Sequence, residues 1–380
     1  MNVLNVVSVL SAREGGGNAE RTFQLSRAIT ALHIRCTVLT LDIGNVETRR
    51  DDLGSAELVV VPCLNKRFQI PLMRWGRLRD LVLRADVVHL MGYWSPLGVL
   101  TSLMARCLGV PYVICPAGAL SLFGRSRSLK RAFNYLIGRR QVSHATGWIA
   151  VTASELPDFA VYGVNPKAVA IIPNGVEESD FASQLRRCFL DNTNTLPLRF
   201  VLFMGRLNLI KGPDLLLEAF GNVAREFPDV NLLFAGPDEG MEAVLMRRAA
   251  ELGIDSRVRF IGFVTGCKKV ALYRSAMLLV VPSRLEAMSI VAVEAGICGL
   301  PVLMTDQCGL NDIREIEPRL IVPANSGALA GGLRLALEDA DRARSWGLNW
   351  QVMVRTRFLW ADIGRRFSDY LGTVVNSTRH

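Results

Sequence analysis

The chain has 380 residues, with 44 Lys and Arg against 35 Asp and Glu, a formal charge of +9, and 50% hydrophobic residues. At about 150 residues per domain that length predicts two domains, and the composition excludes a disordered, collagen-like or long coiled-coil chain. The basic balance favours anionic partners such as phosphates or acidic lipid headgroups, whereas nucleic-acid binding has the net charge alone behind it and is not expected.

Short β-branched runs alternate with segments of helical period along the whole chain, the signature of α/β units on mostly parallel sheets. In the first half the predicted strands are 3–9, 35–41, 58–62, 87–91, 112–115, 148–151 and 169–172, with helices near 18–32, 96–108, 127–143 and 153–162. Periodicity lapses after PNGVEESD, and the polar stretch 177–198 reads as a linker. Strands 200–204, 232–235, 258–261, 278–282 and 302–304 follow, with helices 212–226, 240–252, 266–275 and 289–298, and helix-rich segments finish the chain. Two doubly wound halves are therefore expected, 1–176 and 199–357, with a cleft between them as the natural ligand site and a last helix at 358–380 that can cross back to the first half.

The first strand leads into Gly15, Gly16 and Gly17, and then a helix beginning near Asn18. Such glycines let the backbone approach a ligand, and helix-start amides favour phosphate. A dinucleotide fingerprint would place a small residue where Glu20 stands, although Asp42 closes the second strand where a ribose-binding acid would be; nicotinamide binding is the rival reading. His89 ends a predicted strand and is either an acceptor contact or a core residue. The segment SRSLKRAFNYLIGRR, 126–140, has an amphipathic period with basic neighbours, which suits an anionic membrane or packing on the sheet equally well.

The second half opens with a strand and then GRLNLIKG, placing Arg206 after Gly205 and Lys211 at the entrance to a helix. Two cations there, at the carboxyl end of a parallel strand, make a site for a diphosphate. In PSRLEAMSIVAVEAGICGLP, Glu286 lies in a loop and Glu294 on the helix that follows, so both carboxylates can accept hydrogen bonds from ligand hydroxyls. Asp339 and Asp341 form a D-x-D far from these motifs, and it reads as part of a charged helix junction. The eight cysteines include no C-x-x-C pair and the four histidines are dispersed, so no metal site is expected.

Taken together, the early glycine loop, DVVHLMGYWSPLG, YVICPAGAL, IPNGV, GRLNLIKG, LLFAGP, VRFIGFV and the E-to-E segment resemble the retaining nucleotide-sugar glycosyltransferases of the GT-B fold, family 4. The resemblance implies an acceptor-binding first half, a donor-binding second half, and transfer of a sugar from a nucleoside diphosphate sugar to a hydroxyl by front-face displacement. It implies catalytic roles for Arg206, Lys211 and Glu286: the first two on the donor diphosphate, Glu286 on the sugar hydroxyls. Glu294 would take the ribose, the amides near Met288, Ser289 and Ile290 the phosphates, and Gly16 and Gly17 would lie near the transferred sugar. His89 and Asn18 are the acceptor-side candidates. Two positions depart from many relatives: Ala117, where an arginine is usual, and Ala287, where a glycine is usual.

No cofactor or metal is expected. A lipid-linked saccharide acceptor, bacterial surface polysaccharide or glycolipid assembly and contact with an anionic membrane fit the charge. No apolar run reaches the roughly 18 residues that span a bilayer, and MNVLNVVSVLSAREGGG lacks a basic start and a small-residue cleavage site, so a cytoplasmic location is expected, peripheral on the inner membrane face. A sugar-nucleotide epimerase of the same fold and an inactive sugar-nucleotide-binding module are the alternatives.

Overall fold

A computed structural model describes residues 1–121, 127–188 and 197–378. The chain divides into two compact units, Met1–Gly175 with Trp360–His380, and Val176–Leu359.

The first unit contains β1 (Asn2–Val7), β2 (Arg35–Leu41), β3 (Glu57–Val61), β4 (Cys63–Asn65), β5 (Ile70–Pro71), β6 (Val87–Met91), β7 (Tyr112–Cys115), β8 (Gly147–Ala150) and β9 (Val169–Ile171). Seven of these make one parallel sheet in the order β3-β2-β1-β6-β7-β8-β9, while β4 and β5 pair as a separate antiparallel hairpin. β1 and β6 are buried almost throughout, as strands covered by helices on both faces must be. Strand order reverses between β1 and β6, and loops beyond that point form the crevice in sheets of this kind. The helix Trp360–Ser377 packs on the helix Ala12–Ala31, and Tyr370 exchanges hydrogen bonds with the Trp148 backbone at 2.8 and 3.0 Å.

The second unit contains β10 (Phe200–Met204), β11 (Asn231–Ala235), β12 (Val258–Gly262), β13 (Leu278–Val281), β14 (Val302–Thr305) and β15 (Ile321–Val322). They form one parallel sheet, β12-β11-β10-β13-β14-β15, reversing between β10 and β13. The loops after β10, β13 and β14 thus leave the same end of the sheet. Phe203 and Phe234 of its core and the half-buried Phe260 line up across three strands, with ring centroids 5.3 and 5.2 Å apart.

Four expectations need correction. The helix near 18–32 begins at Ala12, and the glycine loop is a kink inside it where Gly16 adopts φ 57°, ψ −143°. The linker 177–198 contains a helix, Glu178–Cys188, which packs on the helix Gly266–Ser275 of the second unit. Glu178 and Asp180 stand in its first turn, where the helix dipole favours acids, and Arg355 binds Glu178 at 2.8 Å. The helix 127–143 is present but not regular: α-helical turns Arg127–Phe133 and Arg139–Ser143 run through a π-helical turn, Asn134–Gly138. Phe133 packs against the core, but the turn leaves Leu136 and Ile137 exposed, so their apolar period does not continue as one buried face; Ser126 lies outside the described residues. Finally, the β4–β5 hairpin and the helix Trp75–Leu83 occupy a stretch with no predicted element.

Candidate functional site

In the second unit the expected residues gather at the carboxyl end of the sheet. Gly205 follows β10 and bonds through its N–H to Ala235. The loop beyond folds around Asn208, whose side-chain oxygen accepts from the Lys211 amide at 2.9 Å. Asn208 and Arg206 both donate to Glu239, at 2.6 and 3.0 Å. Lys211 then reaches Glu286 of the loop after β13, with Nζ 2.6 Å from Oε1, and Ser283 also donates to that oxygen. The two loops are clamped by Arg284, which donates to the Leu209 carbonyl at 2.7 Å and grips Asp214 with two bonds of 2.8 and 2.6 Å. Gly212 has φ +67°, and a Cβ there would fall 2.1 Å from the Pro282 carbonyl, so only glycine lets the loops cross so closely.

Glu294 is buried on the helix Ile290–Ile297. Its Oε1 accepts from Lys269 Nζ at 2.6 Å and its Oε2 from Tyr273 at 2.7 Å, both from the helix Gly266–Ser275. Burial, reinforced by the Glu294 charge, pushes the Tyr273 hydroxyl well above its ordinary pKa, so it stays a donor. Each carboxylate oxygen keeps a further lone pair beyond these contacts. The Ser289 amide is spent on the Cys308 carbonyl at 3.1 Å, which corrects its expected role as a phosphate donor: the loop after β14 already occupies it. The Ser289 hydroxyl, by contrast, is buried with no partner among the described residues, directly before the first turn. Met288 is buried and Ile290 opens the helix.

In the first unit Gly16 is free of steric neighbours and Gly17 is exposed. Asn18 lies beside the loop after β6, its Nδ2 3.4 Å from where a Cβ on Gly92 would be, which puts these residues near the β1/β6 reversal. His89 is elsewhere. It stands in the middle of β6, fully buried, with Nδ1 2.7 Å from Asn5 Oδ1 and its ring edge-on to Phe367 at 4.9 Å. Burial, with the Arg21 charge adding to it, pulls its pKa down to about 3. The core reading of His89 is correct and the acceptor reading is not.

Glu20 pairs with Arg49 at 2.7 Å, filling the place a dinucleotide fingerprint keeps small, and Asp339 caps the helix Ala340–Arg357 by accepting from the Arg342 amide. The loop carrying Ala117 is held by Glu155, which accepts from the Gly118, Val151 and Thr152 amides; Ala117 itself has φ 50°. Sequence reasoning missed Asn208, Glu239, Arg284, Lys269, Tyr273 and Glu155. Lys269 and Tyr273 carried a usable signal, because positions four apart on a helix share one face.

Two units, each a Rossmann-like parallel sheet, with cations and carboxylates gathered at the carboxyl edge of the second, define the class of GT-B enzymes. The description "Glycosyl transferases group 1" matches residues 192–351, and "Glycosyl transferase 4-like domain" matches 16–175. A D-inositol 3-phosphate glycosyltransferase of Frankia alni is 30% identical over 78% of this chain and 79% of its own length. The homologue of the same name from Nocardia farcinica is 32% identical, and the chain spans about half of it, 52%. Anabaena HepE in complex with UDP-glucose superimposes with a TM-score of 0.77 at 20% identity, over 98% of this chain and 100% of that one. WaaG, a glycosyltransferase involved in lipopolysaccharide biosynthesis, does so at 0.72 and 19%, over 97% and 99%. The chain belongs to the group 1 glycosyltransferases, family 4, and is a glycosyltransferase.

Proposed function

We propose that the enzyme transfers a sugar from a nucleoside diphosphate sugar to an acceptor hydroxyl with retention at the anomeric carbon, in surface polysaccharide or glycolipid assembly. The observation that carries this reading is the pairing of Glu286 and Glu294 with lysines from separate elements, beside a loop that also presents Arg206. Lys211 has three N–H donors and spends one on Glu286, so it can hold a donor phosphate and the sugar-binding carboxylate together. The Arg206–Glu239 pair is exposed and therefore weak, which leaves Arg206 easily redirected to a diphosphate. Glu294 offers its remaining lone pairs to the two ribose hydroxyls.

The chemical demand is to stabilise charge on the leaving diphosphate. Arg206, Lys211 and the start of the helix Ile290–Ile297 supply that stabilisation without a metal or other cofactor. In front-face displacement the leaving phosphate oxygen takes the acceptor proton as the acceptor oxygen bonds to the anomeric carbon on the face the diphosphate leaves. The first unit binds the acceptor through the Gly16–Asn18 region, a lipid-linked saccharide in this reading. The Frankia relative is named for a phosphorylated acceptor and WaaG for lipopolysaccharide, and an anionic acceptor suits a chain of charge +9. Among the described residues no helix is long and apolar enough to cross a membrane; the proposed membrane contact is peripheral, on the cytoplasmic face.

The test is a thermal-shift screen of nucleoside diphosphates and their sugars with Glu294→Ala and Lys211→Ala controls, followed by NMR of the product's anomeric proton. A shift with one nucleotide that both controls lose, and a product of unchanged anomeric configuration, are expected. Inversion of configuration would refute the retaining mechanism, and no shift with any nucleotide would refute the donor site.

A further inference from the structure

Between Leu64 and Trp75 the chain displays an unusual density of outward-facing apolar side chains: Leu64 is 69% exposed, Phe68 50%, Leu72 61% and Trp75 61%. The hairpin is not loose. Cys63 and Met73 turn inward against the core of the first unit, the Leu72 amide bonds to the Pro62 carbonyl at 2.8 Å, and the Asn65 side chain ties the turn by accepting from the Phe68 amide at 3.1 Å. A rigid, anchored element therefore holds these side chains in water at a cost that folding of the unit does not require.

The charge of the same stretch is equally one-sided. Lys66, Arg67, Arg74 and Arg77 are exposed and make no ion pair among the described residues, and no acidic residue lies between Glu57 and Asp80. The Arg67 guanidinium rests 5.5 Å from the Phe68 ring centroid, so apolar and cationic groups share the tip. We propose that the β4–β5 hairpin and the start of the helix Trp75–Leu83 form a docking surface for an anionic lipid bilayer. The aromatic and aliphatic tips enter the boundary between headgroups and acyl chains, and the cations meet lipid phosphates. The aliphatic tips Leu64 and Leu72 and the cations beside them suit a fluid anionic surface, into which Phe68 and Trp75 insert as well. This names the surface for the membrane contact proposed above.

The test sediments the full chain with vesicles of phosphatidylcholine, alone or with phosphatidylglycerol. Wild type should bind the anionic vesicles, weakly at high salt, and leave the neutral ones. Lys66→Glu with Arg67→Glu should lower the partition coefficient at least 25-fold, about fivefold for each charge lost. Phe68→Ser with Leu72→Ser should lower it about tenfold, and Trp75→Phe should remove a vesicle-induced blue shift of tryptophan emission. All three variants change exposed residues, so unchanged melting temperatures verify their fold. Wild type that stays in the supernatant, a charge or Phe68/Leu72 variant that sediments like wild type, or a blue shift that survives in Trp75→Phe would overturn the proposal. So would binding lost only in Leu136→Ser with Ile137→Ser, or hairpin-dependent binding to RNA or an acidic polypeptide without vesicle binding. A chain that binds vesicles through the hairpin but binds no nucleotide would leave this surface standing and overturn the transferase reading instead.

Discussion

Tyr273→Phe removes one hydroxyl from a fully buried side chain and leaves the Glu294 carboxylate with Lys269 as its remaining hydrogen-bond partner among the described residues, 2.6 Å away on the other oxygen. Hydrogen bonds to a charged group contribute about 1.5–3 kcal/mol. Taking about 2 kcal/mol, the second unit should lose about 4–8 °C in melting temperature. The larger consequence is for binding, because a carboxylate pinned at both oxygens presents its remaining lone pairs in fixed directions, and one pinned at a single oxygen by a partly exposed lysine does not. Affinity for the nucleoside diphosphate that the thermal-shift screen selects, measured by calorimetry, should fall about tenfold, about 1.4 kcal/mol. Affinity for inorganic diphosphate should not change, since in the proposed site it meets Arg206 and Lys211 and not Glu294. A 2′,3′-dideoxy nucleotide should bind wild type and variant alike, because it lacks the hydroxyls proposed to meet Glu294. Equal loss for the selected nucleotide and inorganic diphosphate would refute the reasoning, as would a variant with wild-type nucleotide affinity.

Lys211→Ala should reduce kcat by about 10²–10³-fold, the loss seen when a donor to a developing anion is removed, read from initial rates with saturating donor. Gly212→Ala forces a Cβ against the Pro282 carbonyl at a positive φ; the melting temperature and nucleotide affinity should both fall, whereas Gly16→Ala, with nothing within 4 Å, should spare the fold of the first unit apart from the cost of its own φ. His89 is held neutral, with a folded pKa near 3 against about 6.5 unfolded, so below pH 6.5 the unfolded chain binds the proton that the folded chain refuses. Stability should therefore fall with pH by up to about 1.4 kcal/mol per unit between pH 6 and 3, and urea melts of His89→Gln should lack that part of the slope.

Much of this fold is legible because parallel strands buried on both faces are short β-branched runs; 35–41, 87–91, 112–115 and 200–204 appear in the structure with the bounds that the pattern suggests. What escapes is whatever does not depend on burial. The β4–β5 hairpin carries exposed leucine and phenylalanine among cations, and Pro71 interrupts its second strand, so no alternation survives to mark it. The helix Glu178–Cys188 is mostly polar and declares itself through dipole and packing instead. The same distinction runs through the site. Arg206, Lys211, Glu286 and Glu294 stand out by charge next to glycine and strand ends, while Asn208, Arg284 and Tyr273 act through contacts between segments distant in sequence, which no local pattern encodes. His89 misleads for a related reason: a polar residue in a strand looks functional until Asn5 and Phe367, far away in the chain, are seen to enclose it.

The two lysine–carboxylate pairs carry a further implication. Ion pairs this sheltered are poor stabilisers, since desolvation offsets most of their attraction, and well-packed apolar residues in their place are often neutral or better. A fold selected for stability alone has no need of Lys211–Glu286 and Lys269–Glu294. Each pair, however, leaves unused valence on the group that the proposed donor would touch: two N–H donors on Lys211, and a lone pair on each oxygen of Glu294. Replacing Lys269 with methionine should therefore separate the two roles. The melting temperature should fall, because the buried Glu294 charge loses its cation, and nucleotide affinity should fall as well as Glu294 loses its second anchor. A variant with wild-type nucleotide affinity and a lower melting temperature would show that the pair serves the fold rather than the ligand.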